Sequence, residues 1–333
     1  MSIDITTVDD PTRWDRLVER APASTPVHRY GGLRALAEHA GATLHPLAGY
    51  KGQEPVGLFP VFEKAKGPVS AVFSPPPDLK VSYLGPVTHN LEKLKQRKRE
   101  RRHRRFVEGC LDYLDETVGP SYAHFRTGVD YADPRPFLWN DFEVTPRYTY
   151  VVDLERDPDD LFAAFSSDAR SNVRSAGDAD CEVYEGGREE IVRIVEQVKA
   201  RHDEQGKSYL VTPAFVTDLY ESLPDGAVRP YAVAVDGEFA GGMVVLEDDD
   251  TVYRWQGGAK PDASLPVNDV LDWQIMQDAI ERGRSGYDLV GANNPRLCGY
   301  KAKFAPTLRT YHSLQRGTRS MNVVSGLYSR LRK

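Results

Sequence analysis

The chain reads as an α/β protein, mixed sheets flanked by helices, folded as two tandem domains of like topology. Two internal echoes and the alternation of helical and extended patterns in each half predict this. Near residue 133 the sequence runs Asp133-Pro134-Arg135, then Phe142, then Arg147-Tyr148-Thr149-Tyr150. Near residue 294 it runs Asn294-Pro295-Arg296, then Phe304, then Arg309-Thr310-Tyr311. Upstream, Gly52-Gln53-Glu54-Pro55-Val56-Gly57-Leu58-Phe59 is matched by Gly237-Glu238-Phe239-Ala240-Gly241-Gly242-Met243-Val244. Paired echoes in the same order, at so long a period, mark duplicated domains and not a solenoid. A length of 333 residues is the usual size of two such domains, and we place them at residues 1–147 and 148–333.

Each element follows from a local signal. In the first half, Pro11 to Arg20 and Tyr30 to Ala40 carry helical patterns, and Thr43 to Tyr50 and Val56 to Glu63 read as antiparallel strands joined at Lys51-Gly52-Gln53-Glu54. The run Ser74-Pro75-Pro76-Pro77 cannot continue a central strand and is a connection. A long basic helix follows, then the strand Ser121 to Thr127, an irregular stretch, and Tyr148 to Leu154.

In the second half, Asp157 to Ala176 reads as one helix, with Pro158 in its first turn and Gly177 past its end. Next come a strand over Glu182 to Glu185 and helices over Arg188 to Gln205 and Pro213 to Ser222. Tyr231 to Val235 and Gly241 to Glu247 form a hairpin across Asp236-Gly237. Val252 to Gly257 is a strand, Asn268 to Arg282 a helix stopped by Gly283, and Tyr287 to Val290 another strand. A short helix over Leu297 to Phe304 and a last strand over Arg309 to Gln315 complete the domain.

Composition excludes several classes. A net charge of −6 argues against a dedicated nucleic-acid binder. No apolar run reaches the roughly 18 residues of a membrane span, and the N-terminus lacks a basic-then-apolar signal pattern, so a cytoplasmic location is expected. Cys110, Cys181 and Cys298 are too scattered for a disulfide framework or zinc site, and the histidines form no ligand pair, so no metal is expected. One local exception stands out. Residues 93–105 hold nine Lys or Arg side chains and continue into helical apolar spacing at Phe106, Val107, Cys110, Leu111 and Leu114. Such a stripe is either a solvated helix face or a phosphate-binding one, with tRNA as the candidate partner.

Four stretches carry a family resemblance. Arg147 to Leu154 leads into Ser166-Ser167-Asp168-Ala169-Arg170-Ser171-Asn172-Val173-Arg174-Ser175-Ala176, similar to the form S-x-x-x-R-x-N-(I/V)-R-K-A. Trp255-Gln256-Gly257-Gly258-Ala259 is the second, and Asp278 to Gly283 followed by Tyr287 to Gly291 the third. Gly299-Tyr300-Lys301-Ala302-Lys303-Phe304 is similar to (F/Y)-K-x-K-F-G. In this order they resemble the GNAT (N-acetyltransferase) superfamily, and within it the double-domain FemAB-like and BioF2-like branch. The resemblance implies two GNAT-like domains and acyl or aminoacyl transfer onto an amine. The superfamily's pyrophosphate loop is not seen before Asn268, where Lys260 to Val267 stands instead. That favours aminoacyl-tRNA over acyl-CoA as donor and leaves both open. The paired long helices of the branch are also missing, since Arg188 to Ser222 is interrupted at Gly206 and Pro213.

Acyl transfer needs a positioned amine and a stabilised oxyanion. The resemblance makes Lys301 the candidate for holding phosphate or developing charge, with Lys303 two residues on. Arg170 and Arg174 share a helix face at i and i+4, and with Asn172 between them they suit phosphate or carboxylate. Asp288, closing a buried strand beside a glycine, is preferred as base over Asp269, which has a ready account as a first-turn helix residue. Trp255 and Tyr253 share a strand face and line either the acceptor cleft or the core. The expected function is transfer to a small or envelope-linked amine acceptor near Arg170 and Lys301. The alternative is a non-catalytic relative that binds an anionic partner such as RNA.

Overall fold

The computed structural model describes residues 2–317 except 68, 178–179 and 260–264. The chain divides into two compact units, residues 1–147 with 310 onward, and residues 148–309.

Unit 1 opens with β1 (Asp4–Thr7), α1 (Pro11–Val18) and α2 (Tyr30–Ala40), followed by β2 (Thr43–Lys51), β3 (Glu54–Lys66), β4 (Val69–Ser74) and β5 (Val87–Thr88). Then come α3 (Gln96–Thr117), β6 (Tyr122–Arg126) and α4 (Arg135–Leu138). The strand β7 (Glu143–Asp153) runs across the sequence boundary of the units. Asp10 caps α1 by accepting from the Arg13 amide at 2.8 Å, with Pro11 in the first turn. Unit 2 continues with α5 (Pro158–Ala164), α6 (Ser167–Gly177), β8 (Cys181–Glu185), α7 (Arg188–Glu204) and α8 (Pro213–Ser222). Its remaining elements are β9 (Val228–Val235), β10 (Glu238–Glu247), β11 (Thr251–Ala259), α9 (Val267–Glu281), β12 (Gly286–Asp288) and α10 (Pro295–Lys301). The final strand is β13 (Thr307–Gly317).

The duplicated topology is plain in the strand orders. Unit 1 runs β1-β2-β3-β4-β6-β13 and unit 2 runs β8-β9-β10-β11-β12-β7. In each, the hairpin expected from the glycine echo, β2/β3 or β9/β10, takes the second and third places from the outer edge. In each, the next step is antiparallel, β3 to β4 or β10 to β11, the one after it parallel, β4 to β6 or β11 to β12, and the last antiparallel. A mixed sheet flanked by helices is the fold class that the sequence predicts.

Three expectations need correction. The last strand, placed by sequence in the second domain, belongs with unit 1, because Ser313–Gly317 pair with Arg126–Tyr122 of β6. The single helix expected over 157–176 is two helices. Phe165 adopts an extended conformation (φ −64°, ψ 155°), and the Ser166 amide bonds the Lys303 carbonyl at 2.8 Å instead of continuing the helix. The basic helix begins at Gln96, since Lys95 is still extended. Its inward face (His103, Phe106, Val107, Cys110) is buried, whereas Arg97, Lys98, Arg99, Arg101 and Arg104 are exposed.

The core of unit 2 decides where its polar groups sit. Phe165, Tyr231, Met243, Leu271, Ile275, Met276, Tyr287 and Phe304 pack together between sheet and helices. Burying each large apolar side chain contributes about 1.5–3 kcal/mol. Phe165 and Phe304 meet edge to face at 5.2 Å, and Tyr300 meets Phe304 at 5.6 Å, which fixes the roll of α10. Gly257 lies in β11 at φ +149°, where a Cβ would come 2.2 Å from the Gly242 carbonyl oxygen of β10. No side chain fits there, and the first glycine of the Gly-Gly motif follows from that close approach. The stretch Lys260 to Pro266, where no pyrophosphate loop was seen, falls mostly on residues outside the described ones.

Candidate active site

Parallel strands place ligands at their carboxyl ends, and among the described residues unit 2 has one such pair. The pairing of β11 with β12 ends at Tyr253 and Asp288. Beyond Asp288 the chain turns sharply through Val290 (φ +49°) and Gly291 (φ +86°). Asp288 holds the turn: its Oδ1 accepts from the Val290 amide at 2.7 Å and from the Thr149 hydroxyl at 2.6 Å. The Gly291 amide donates to Thr149 Oγ1 at 2.9 Å. Two carbonyls, those of Val290 and Gly291, are thereby aimed together.

Lys301 occupies that point. Asn294 caps α10 by accepting from the Arg296 amide at 3.0 Å, with Pro295 in the first turn. The helix carries Lys301 at its last position, 5% exposed. The Lys301 ammonium donates to the Val290 carbonyl at 2.6 Å and the Gly291 carbonyl at 2.7 Å. Burial is the main cause that lowers its pKa to about 8, and the nearby Arg254 guanidinium adds to the effect, against the pull of Asp288 and Asp272. An ammonium has three N–H donors, so two are engaged here. Of the sequence candidates, Lys301 and Asp288 are brought together.

Beside Lys301 lies a network that sequence reasoning passed over. The Asp272 carboxylate, fully buried on α9, accepts from Arg254 Nε at 2.8 Å, Tyr287 OH at 2.7 Å and Tyr300 OH at 2.6 Å. Desolvation opposes the Arg254 charge, but Asp272 and the adjacent tyrosines hold its pKa above the usual range. Burial, then Asp272, pushes the Tyr300 and Tyr287 hydroxyls well up, so both remain protonated donors. A signal was present in the sequence: Arg254 interrupts a strand of apolar and aromatic residues, and Asp272 interrupts a helix whose neighbours Leu271 and Ile275 are buried. Charges in such places are paired or functional.

The other candidates form a second constellation. Lys303 donates to both Asp269 oxygens at 2.9 and 2.6 Å, and its ammonium sits 4.7 Å from the centre of the Tyr300 ring. Asn172 donates to Asp269 Oδ2 at 2.5 Å. Asp269, set aside in favour of Asp288, is therefore the acceptor on which Asn172 and Lys303 converge. Arg170 donates from Nη1 to the Ala163 carbonyl at 2.8 Å and to the Phe165 carbonyl, closing the end of α5. Arg174 lies over the Phe162 ring at 5.5 Å. Among the described residues Arg170 and Lys301 share no hydrogen-bond partner. Trp255 meets Phe215 edge to face at 5.9 Å. Among the described residues no group of three or more His, Cys, Asp or Glu is placed to hold a metal ion, and no helix is long and apolar enough to cross a membrane.

Comparison with known proteins bears on the domain and the fold. Residues 149–302 match the model of the acetyltransferase (GNAT) domain family. No curated protein sequence matches the chain. Among solved structures, FemX superposes with a TM-score of 0.72 at 13% identity, over 93% of this chain and 96% of its own. L-PGS from Bacillus licheniformis gives 0.62 at 12% identity, over 98% of each chain. The C-terminal domain of a putative lysylphosphatidylglycerol synthetase from Agrobacterium fabrum gives 0.60 at 12% identity, over 95% of this chain and 93% of its own. Residues 149–302, which include Lys301, Asp288 and Asp272, thus carry an acetyltransferase (GNAT) domain match, and the chain shares its fold with FemX over 93% of its length.

Proposed function

We propose that the protein moves an acyl or aminoacyl group from an activated ester or thioester onto an amine beside Lys301. The observation that carries this reading is the Lys301 ammonium. It is buried at the carboxyl end of the parallel pair and anchored by two carbonyls, with its third N–H left to meet a ligand oxygen. Attack of an amine on an acyl carbon develops negative charge on the carbonyl oxygen, and a preorganised donor in a dry site stabilises it. Asp288, expected as the base, serves in this reading to hold the turn and balance the lysine. Asp269, Lys303 and Asn172 form a polar wall suited to orienting the acceptor amine. The donor is aminoacyl-tRNA or an acyl-CoA, and the acceptor a small or envelope-linked amine.

The test is transfer of labelled acyl group from aminoacyl-tRNA or acetyl-CoA to a panel of amines. One donor is expected to support transfer, and Lys301→Met to lower kcat by about 10²–10³ with donor binding retained. A cationic role makes kcat fall as pH rises through about 8, where Lys301 loses its proton. Transfer from neither donor, or full activity of Lys301→Met, would refute the assignment.

A second reading, binding of RNA without transfer, draws on the exposed Arg97, Lys98, Arg99, Arg101 and Arg104 of α3. Partners already engage some of the basic run: Arg102 donates to Glu54 at 2.7 Å, and Arg104 lies 3.5 Å from Glu108. Four or five phosphate contacts on this face would cost on the order of two to three decades of tRNA affinity between 50 and 200 mM salt. A flat titration would mark the run as a solvated face.

A further inference from the structure

Unit 1 presents a cationic helix face that acyl transfer beside Lys301 does not use. In a chain with a net charge of −6, residues 93–105 hold nine Lys or Arg side chains against one carboxylate, Glu100. Burial of His103, Phe106, Val107 and Cys110 fixes the roll of α3. Arg97, Arg101 and Arg104 are exposed and spaced i, i+4 and i+7, so they form one row along the helix.

That row borders α4. Glu100, at i+3 from Arg97 and i−4 from Arg104, reaches across to Arg135 at 3.1 Å. His103 Nε2 and the Tyr131 hydroxyl stand 2.6 Å apart and tie the segment before α4 to the same helix. Phe137 is fully buried and meets Phe59 at 6.2 Å and Phe142 at 5.5 Å, both edge to face. With Phe137 turned inward, the next two residues turn outward, and Leu138 is 56% and Trp139 54% exposed. Arg135, whose charge Asp133 and Glu100 balance, lies 5.5 Å from the centre of the Trp139 ring.

Adjacent large apolar side chains left in water forgo the gain of burial, and rimmed by basic groups they mark an interaction surface. The exposed pair of Arg104 with Glu108 at 3.5 Å contributes little, so the row keeps its cationic character. An RNA backbone would meet the arginines and a base would stack on Trp139, but RNA offers nothing to Leu138. A bilayer surface suits all of these groups at once. Each Lys or Arg near an anionic leaflet raises affinity roughly fivefold. Tryptophan and leucine settle at the boundary of headgroups and acyl chains, and the two signals together hold a protein that neither holds alone.

We infer that the α3–α4 face of unit 1 docks on an anionic lipid bilayer, with Arg97, Arg101 and Arg104 over the headgroups and Leu138 and Trp139 at the acyl boundary. The face lies on the membrane without crossing it, in keeping with the lack of a spanning helix among the described residues. The attraction is spread along the row, and no single headgroup is gripped in a pocket.

The test mixes the full chain with phosphatidylserine–phosphatidylcholine vesicles, with pure phosphatidylcholine vesicles and with tRNA, all at one ionic strength. Sedimentation with the anionic vesicles and not the neutral ones is expected. Brominated acyl chains in the anionic vesicles should quench part of the tryptophan emission, and Trp139→Phe should remove that part. Arg97→Gln, Arg101→Gln and Arg104→Gln together are expected to weaken vesicle binding on the order of a hundredfold, and Trp139→Ala roughly tenfold. Leu138→Asp, which sets a carboxylate at the boundary, gives the same readout where Trp139→Ala disturbs α4. Equal binding to neutral vesicles, unchanged binding by the arginine or the α4 variants, or quenching that survives in Trp139→Phe would overturn the docking face. Binding of tRNA without binding of anionic vesicles would overturn it too, and would assign the row to RNA.

Discussion

Asp272→Ala is expected to lower the stability of unit 2 by about 3–5 kcal/mol, the usual loss when one partner of a buried ion pair is removed. The carboxylate accepts three hydrogen bonds and is fully buried. Without it the Arg254 guanidinium keeps its charge in a site where its side chain is 17% exposed, and two tyrosine hydroxyls lose their acceptor. Asp272→Asn keeps an acceptor oxygen without the charge, so a smaller loss is expected. The measurement is the urea midpoint together with the slope, which separates a true stability change from altered compactness. A loss under about 1 kcal/mol for the alanine variant would show that Arg254 finds water or another partner, and that the network is not the anchor of the site.

Glu247→Ala is the second substitution expected to cost on the order of 3–5 kcal/mol. Its carboxylate, at the end of β10, accepts from Arg282 at 2.9 and 2.7 Å, from Arg284 at 2.9 Å and from Arg229 at 3.1 Å. Burial alone would raise its pKa, but the hydrogen bonds from Arg282 and Arg284 and the surrounding positive charge outweigh it and leave the value lowered. A depressed folded-state pKa means that the unfolded chain takes up the proton first as pH falls. The Glu247 contribution is therefore complete above the ordinary value of 4.5 and is lost as pH falls through the lower folded one. The stability gap between wild type and Glu247→Ala should accordingly be widest near neutrality and narrow on acidification. A gap independent of pH down to about 3 would mean that the ion cluster contributes nothing beyond packing.

Much of the fold was legible because its signals are local. The Asp236-Gly237 turn announces the β9/β10 hairpin, and Gly283 stops α9 one residue past Arg282, as expected of a residue with φ +76°. The split of 157–176 was not legible. What ends α5 is a hydrogen bond from Ser166 to Lys303 and one from Arg170 to the Phe165 carbonyl, contacts between parts of the chain that carry no local mark. The position of the last strand was hidden for a similar reason. The pattern of Arg309 to Gln315 states that it is a strand, but its neighbour is set by which sheet edge lies within reach.

The site divides along the same line. The sequence by itself determined the two-fold repeat, the hairpins and helices, and the family motif that singles out Lys301, because periodicity, turn chemistry and motif spacing are written in adjacent residues. Only the tertiary structure decided that Asp288 braces a turn with Thr149, 139 positions away. It also turned Arg170 onto backbone carbonyls and drew Asn172 and Lys303 to Asp269. Side chains that share a secondary element declare their common face by spacing, whereas partners on different elements meet through packing of the core. Lys301 meets its two carbonyls because Phe165, Tyr300 and Phe304 fix the roll of α10, and that arrangement is a property of the folded interior, not of any stretch of sequence.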